Sequence, residues 1–419
     1  MIEVPIEFIR PGDILGKHHS FKRYEGGMSS TVNLMKGYQL TKKVLEKLQQ
    51  EFNIQYLCIS DMSDDVKDIE YQEGFDEIER QKIVDTFIEN MNQIKTSRII
   101  DLKAVGAIVT DILNGVFRFV KNGKGRFRTI AKAFSEVQSH DMYTWDHSVN
   151  TAIYAAIIAF KAPELFNRER TRFPDMNFSR HEVLVFNMLF HDIGKIKIPL
   201  KILNKTEKLS KPEIETIQKH PYNGFVHIRK INKNLQQANM PLIPAHFTKA
   251  CLLHHQYYDG TGYPALRRGP DEVRPYRQDE IPMIAKIAAC ADIYDAVTSK
   301  RAHRFPFHPV EATNILLAER GKKLDPDVVD AFFESVSPFP EGSTVILSTN
   351  ELAVVTGYVN GNKMYPVVKP YMRKVYRDGR EKIERLTYGR NVEIKPGSKI
   401  KIVFNKDLYT PNDGRELYP

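Results

Sequence analysis

His191-Asp192-Ile193-Gly194-Lys195 closes the strongly apolar run Val183 to Phe190, and a second apolar run follows it as far as Pro199. A carboxylate beside an imidazole at the end of a buried helix needs compensation, because burying an ionised carboxylate is costly. A metal compensates well, and imidazole beside carboxylate suits first-row transition metals. Lys195 lies four residues after His191, so a continuing helix puts both on one face. Read alone, the stretch fits two descriptions equally. One is a metal pair with a cation beside it, suited to an anion. The other is an ordinary helix end with a glycine stop and a lysine near the dipole.

The whole chain sets the frame. Its 419 residues allow two or three domains, and 42% hydrophobic residues is normal for a globular protein. No run approaches the roughly 18 apolar residues of a membrane span. The N-terminus has no basic segment followed by an apolar core, so no secretory signal is expected. Three scattered cysteines, Cys58, Cys251 and Cys290, make no disulfide framework. These points favour the cytoplasm. The net charge of +9 fits a solvated basic surface or an anionic partner such as a nucleotide. A nucleic-acid polymer is not expected, since no basic block interleaves with aromatics.

Working outward, Ser179 and Glu182 form a capping-box pair that opens the helix ending in His191-Asp192. Residues 161–178, polar and basic, read as a loop. Ser210 and Glu213 make a second capping box, and their helix is expected to end at His220-Pro221. A helix over Trp145 to Phe160 carries His147 near its start. Another runs through Ala250 to Leu253 into His254-His255. Adjacent helical residues point about 100° apart, so these two histidines can serve two metals or flank one from a helix end, although in isolation one core and one surface histidine is the plainer reading. Asp259-Gly260-Thr261-Gly262-Tyr263-Pro264 is a constrained loop. Ile281 to Val297 reads as a buried helix containing Asp292 and Asp295, with the cations of Lys300, Arg301 and Arg304 just beyond. Two further helices start at Pro309 and near Asp325.

Residues 1–62 read as a small α/β domain with a helix around Leu40 to Leu48. Residues 63–140 read as an acidic linker and helical connector. Residues 141–337 form the main helical domain. Residues 338–405 carry short β-type runs, and 406–419 read as an irregular tail.

Each of His147, His191, Asp192, His220, His254, His255 and Asp292 falls at a helix end or on an apolar helix face. Each singly has a bland explanation. Together they exceed the four ligands of a closed zinc site and fit two metals sharing Asp192.

These residues also carry a resemblance. The His191 to Lys195 stretch, with Ile198-Pro199, His220-Pro221 and Gly224, resembles one half of the HD-GYP family signature. His254-His255-Gln256-Tyr257-Tyr258-Asp259-Gly260-Thr261-Gly262-Tyr263-Pro264 resembles the other half, and Ala291 to Ala296 is similar to the closing motif. The resemblance covers roughly residues 142–335. It implies a mainly α protein built on a helical HD-type metallohydrolase domain, with the small N-terminal α/β and C-terminal β-rich domains as additions. It implies hydrolysis of cyclic di-GMP to pGpG, GMP or both, by a hydroxide that two divalent ions, iron or manganese, activate. His147, His191, Asp192 and Asp292 would hold one ion, and Asp192, His220, His254 and His255 the other. Asp192 and Lys195 would act in catalysis. Lys195, Lys286, Arg301 and Arg304 would contact the substrate. Asp259, Gly260, Gly262, Tyr263 and Pro264 form the motif loop, onto which a signalling protein could dock. A homodimer is also compatible with the resemblance.

The sequence departs from the family pattern at several places. Gln256 stands where the family has Glu, which would alter ligand orientation or basicity. Tyr143 replaces the Glu of three-metal members, which favours two metals. Lys286 replaces a common Arg and offers a weaker phosphate contact. Ala302-His303 replaces Pro-Tyr, and the basic segment after Pro264 is long. These changes raise an alternative: a low-activity or inactive module that binds the nucleotide or a partner protein as a regulator.

Overall fold

The computed structural model describes residues 2–16, 19–25, 28–50, 56–60, 77–97, 100–121, 140–168, 179–203, 205, 207–239, 242–267, 272–299, 307, 309–339, 341–377, 380–386, 390–400 and 402–403. The acidic linker over 63–76, Arg301, Ala302, His303, Arg304 and the tail 406–419 lie outside the described residues.

The chain starts with β1 (Ile2–Pro5), the hairpin of β2 (His19–Glu25) and β3 (Met28–Leu34), α1 (Lys42–Gln50) and β4 (Tyr56–Ile59), which pairs antiparallel with β1. The helical domain follows as α2 (Glu77–Ser97), α3 (Leu102–Lys121), α4 (His140–Lys161), α5 (Pro163–Asn167), α6 (Arg180–Phe190), α7 (Leu200–Leu203), α8 (Lys211–Ile217), α9 (His220–Gln237) and α10 (Lys249–Leu253). After the small ribbon of β5 (Leu266–Arg267) and β6 (Val273–Arg274) come α11 (Met283–Thr298), α12 (Pro309–Glu319) and α13 (Pro326–Ser335). The chain ends in an antiparallel sheet of β7 (Thr344–Leu347), β8 (Glu351–Tyr358), β9 (Pro366–Arg377), β10 (Arg380–Arg385), β11 (Val392–Glu393) and β12 (Ile402–Val403). No helix among the described residues is long and apolar enough to cross a membrane. Mainly helical architecture with a strand-rich C-terminal region agrees with the sequence.

Local chemistry explains several boundaries. The Glu182 N–H donates to Ser179 Oγ at 3.2 Å, and the Ser179 N–H donates back to Glu182 Oε2 at 2.5 Å. This reciprocal cap fixes where α6 starts. Ser210 N–H and Oγ both donate to Glu213 at the start of α8. Two boundaries differ from expectation: α5 lies inside the stretch 161–178 that reads as a loop, and the other concerns His220. The helix opened by Ser210 stops at Ile217, and His220 begins a new helix, α9, rather than ending the old one. Pro221 sits in the first turn of α9, where its missing N–H costs no hydrogen bond.

Helix α4 packs against α6 and α11. Tyr154 of α4 meets Tyr294 of α11 edge-on, ring centroids 5.1 Å apart, and both are fully buried. Large side chains of this kind each contribute about 2 kcal/mol of burial free energy. Their packing brings His147, two turns before Tyr154, opposite Asp292.

The two ends of the chain share a core. Val4, Phe8, Leu15, Leu40 and Leu57 of the N-terminal unit pack in one apolar cluster with Leu352, Val354, Tyr371 and Met372 of the C-terminal sheet. Ala353 and Val355 belong to a different cluster, with Phe339 and Val368. Strand side chains alternate between faces, so β8 serves both cores. The units read from sequence as 1–62 and 338–405 thus pack against each other.

Candidate metal centre

Five elements place the candidate ligands. His147 comes from α4, and His191 and Asp192 follow the last turn of α6. His220 opens α9, His254 caps the C-terminus of α10 with His255 next, and Asp292 lies within α11. The short helix α10 ends before the paired histidines, so helical spacing does not force them apart. Lys195 lies in a 3-10 turn, Ile193–Lys197. That turn fits closely against α9 because residue 194 has no side chain. A Cβ there would lie 1.9 Å from the His220 carbonyl oxygen. The close approach brings His220 to Asp192.

Asp192 stands at the middle with its two oxygens divided. Oδ2 lies 3.4 Å from His191 Nε2 and 3.7 Å from His147 Nε2. Oδ1 lies 3.2 Å from His220 Nε2 and 3.9 Å from His254 Nε2. Asp292 Oδ1 is 3.0 Å from His147 Nε2 and 3.9 Å from His191 Nε2. Ligand atoms of His147, His191 and Asp292 fall within 4.8 Å of one another, and so do those of His220, His254 and His255. Lys195 Nζ donates to Asp192 Oδ2 at 2.5 Å and stays partly exposed.

The outer ring nitrogens are committed. His191 Nδ1 bonds the Met188 carbonyl at 2.6 Å, His220 Nδ1 that of Ile217 at 2.8 Å, and His254 Nδ1 that of Ala250 at 2.8 Å. His147 Nδ1 bonds Asp295 Oδ2 at 2.6 Å. A carbonyl only accepts, so these nitrogens carry the proton and, in the neutral ring, each Nε2 presents a lone pair inward. His220 Nε2 and His254 Nε2 then face each other at 3.1 Å. His191 Nε2 is buried and makes no hydrogen bond. Converging imidazole lone pairs beside two carboxylates fit divalent metal ions.

The electrostatics agree for the paired histidines and differ for His147. Burial pushes His254 down to about 3 and His255 well below the usual imidazole range, so both stay neutral. Burial opposes ionisation of Asp192, but Lys195, His191 and His220 outweigh it and hold the carboxyl well below the ordinary range. For His147, burial is outweighed by Asp292 and Asp295, which raise it to about 9. Burial holds the nearby Cys251 thiol far above its usual value, so it is no thiolate ligand.

The loop over 257–264 folds back on His255. The Tyr263 N–H donates to the His255 carbonyl at 2.9 Å, and the Tyr263 ring stacks on the His255 ring with centroids 4.6 Å apart. Asp259 Oδ1 accepts from the N–H and the hydroxyl of Thr261. Gly260 has φ +86°, and a Cβ at 262 would lie 2.3 Å from the His255 carbonyl oxygen. Pro264 follows Tyr263 through a cis peptide bond.

Two residues lie differently from expectation. Lys286, expected at a substrate phosphate, points its ammonium at Asp325 Oδ2, 2.8 Å away, and both side chains are buried. Asp325 also accepts from the Asp327 and Val328 N–H groups at the start of α13, so a longer-range structural pair uses this cation. Gln256, expected to alter ligand orientation or basicity, makes its side-chain hydrogen bonds to other residues. Its Nε2 donates to the Pro264 carbonyl at 2.9 Å and its Oε1 accepts from the Tyr276 N–H at 2.5 Å.

Sequence reasoning left other residues unassigned. Asp295 orients His147 and accepts from Ser299 Oγ at 3.1 Å. Its position one turn after Asp292 was a usable signal. Arg80 of α2 donates to Asp146, beside His147, and to Asn150 Oδ1 at 2.9 Å. Nothing local to Arg80 announces this, because the partner is over sixty positions away.

Residues 156–328 match the model of the HD domain family. A cyclic di-GMP phosphodiesterase of Pseudomonas aeruginosa is 32% identical over 56% of this chain and 49% of its own length. A probable cyclic di-GMP phosphodiesterase of Vibrio cholerae is 38% identical over 34% of this chain and 30% of its own length. A 3'3'-cGAMP-specific phosphodiesterase of the same organism is 30% identical over 36% of this chain and 25% of its own length. The chain thus spans about half or less of the length of these relatives.

Proposed function

From an HD domain over residues 156–328 we infer a metal-dependent phosphodiesterase of HD-GYP type that hydrolyses cyclic di-GMP to pGpG, GMP or both. The observation that carries this reading is the division of the Asp192 oxygens between two sets of imidazoles. Asp192 would bridge two divalent ions. His147, His191 and Asp292 would hold one, and His220, His254 and His255 the other. Nitrogen and oxygen donors without a thiolate suit iron or manganese. When bound, such ions supply Lewis acidity and lower the pKa of water.

The chain's own residues do the rest. The Nδ1 bonds of His147, His191, His220 and His254 fix each ring before substrate arrives, so little reorganisation is needed during reaction. Lys195 is partly exposed and joined to Asp192, so its ammonium can meet a substrate phosphate at the edge of the centre as a point charge. Arg301 and Arg304 are assigned to the substrate phosphates on the sequence pattern alone. Three buried cysteines, none in a disulfide, favour a reducing compartment such as the cytoplasm.

The test is turnover. The protein is loaded anaerobically with Fe(II) or Mn(II) and cyclic di-GMP and 3'3'-cGAMP are followed by chromatography. Cyclic di-GMP is consumed by the wild-type protein and left intact by Asp192→Ala. Absence of turnover with two bound metal equivalents overturns the reading. Preference for 3'3'-cGAMP corrects the substrate.

A further inference from the structure

We propose that Gln256 is a positioning residue: its amide, donating at one end and accepting at the other, clamps the 257–264 loop so that Tyr263 holds the ring of His255. The inference rests on the metal-centre reading of His255.

Among the histidines of the centre, His255 is held differently. His147, His191, His220 and His254 each have Nδ1 fixed by a carboxylate or a carbonyl. The His255 side chain makes no hydrogen bond among the described residues. Its ring is bounded by His254, His220 and Tyr263, with the Tyr263 face stacked at 24°. The aim of His255 therefore depends on where Tyr263 lies.

Tyr263 is placed by the loop, and Gln256 ties the loop at its far end. The side chain is 2% exposed, so both halves of its amide need partners. The neighbours dictate their orientation. The Pro264 carbonyl can only accept, so it takes the NH2 half. The Tyr276 N–H can only donate, so it takes the oxygen. One amide thus joins the residue after Tyr263 to the strand-like segment that leads into α11. A carboxylate has acceptors only. In Gln256→Glu the bond from Tyr276 survives, but an ionised oxygen faces the Pro264 carbonyl in a buried site, which is costly. An ionised carboxylate, the family-typical group, therefore keeps one of the two ties at position 256 and loses the other.

The test compares wild type, Gln256→Glu and Gln256→Ala at pH 8 by two measurements. The first is amide hydrogen exchange across 257–264 in metal-free protein, with α4 and α6 as internal references. The second is Mn(II) binding by calorimetry. Both variants are expected to exchange faster in the loop only, and to bind one of two Mn(II) equivalents about ten-fold more weakly, the lower end of what lost orienting partners cost. Wild-type exchange in Gln256→Glu overturns the clamp, and wild-type binding of both equivalents overturns its link to His255. Neither readout uses turnover, so an inactive wild-type enzyme with normal clamp behaviour counts against the proposed reaction and not against this inference.

Discussion

Asp295 Oδ2 lies 2.6 Å from His147 Nδ1, completely buried, and one helical turn from Asp292, which faces the other nitrogen of the same ring at 3.0 Å. A single imidazole is therefore gripped on both edges by carboxylates from one helix. Asp292 faces the centre, and Asp295 sets the ring.

Asp295→Asn should separate these two roles. The ring keeps its neighbours but loses the charge behind it, so Mn(II) binding weakens about 10–100-fold. Calorimetry measures this. Asp292→Asn, by contrast, should abolish one of the two binding events.

Gly194→Ala tests the close fit of the 3-10 turn against α9. The added methyl would meet the His220 carbonyl, which is backbone and cannot swing away. The urea midpoint should fall by an amount equivalent to about 1–3 kcal/mol. An unchanged midpoint would show that α9 can retreat freely.

Arg80→Ala leaves Asp146 buried without its guanidinium. Asp146 is already raised by burial, with Arg80 the main opposing influence. The expected loss is about 3–5 kcal/mol of unfolding free energy, and Arg80→Met with Asp146→Leu should recover most of it. A double variant no better than the single one would refute the pairing argument.

Glu213 gives a pH test away from the candidate metal centre. The Lys205 ammonium first, then the Ser210 N–H and hydroxyl, hold its carboxyl at about 2 against an ordinary 4.5. The folded value is the lower one, so this contribution is present above about 4.5 and is lost as pH falls towards 2. Carbon-detected NMR should find the Glu213 carboxyl titrating near 2, and the titration should move up in Lys205→Ala.

Much of this was visible in the sequence because it is local. The Ser179 and Glu182 cap, the His191-Asp192 end of α6 and the carboxylate in an apolar α11 each declare themselves within one or two helical turns. His220 was visible as a residue, although the helix break before it was not. What stayed hidden depends on pairs far apart in the chain. Lys286 and Asp325, Gln256 and Tyr276, and Arg80 and Asp146 each look like unconnected residues or mere departures from the family pattern until the fold joins them. The amide at 256 shows the hazard. A departure from pattern suggested altered ligand orientation or basicity, whereas its direct partners are a loop carbonyl and a backbone N–H.

The core shared by the two chain ends has a consequence for biosynthesis. Leu57 and Ile59 pack with Leu352 and Val354, which follow roughly 300 residues later. At a translation rate of about 5–20 residues per second, that delay is about 15–60 s. During this interval the unit that holds Leu57 and Ile59 carries an apolar face whose cover has not yet been made. The helical domain between them can acquire its own core sooner, so folding order need not follow chain order. A nascent chain halted before Leu352 should engage chaperones through its N-terminal unit.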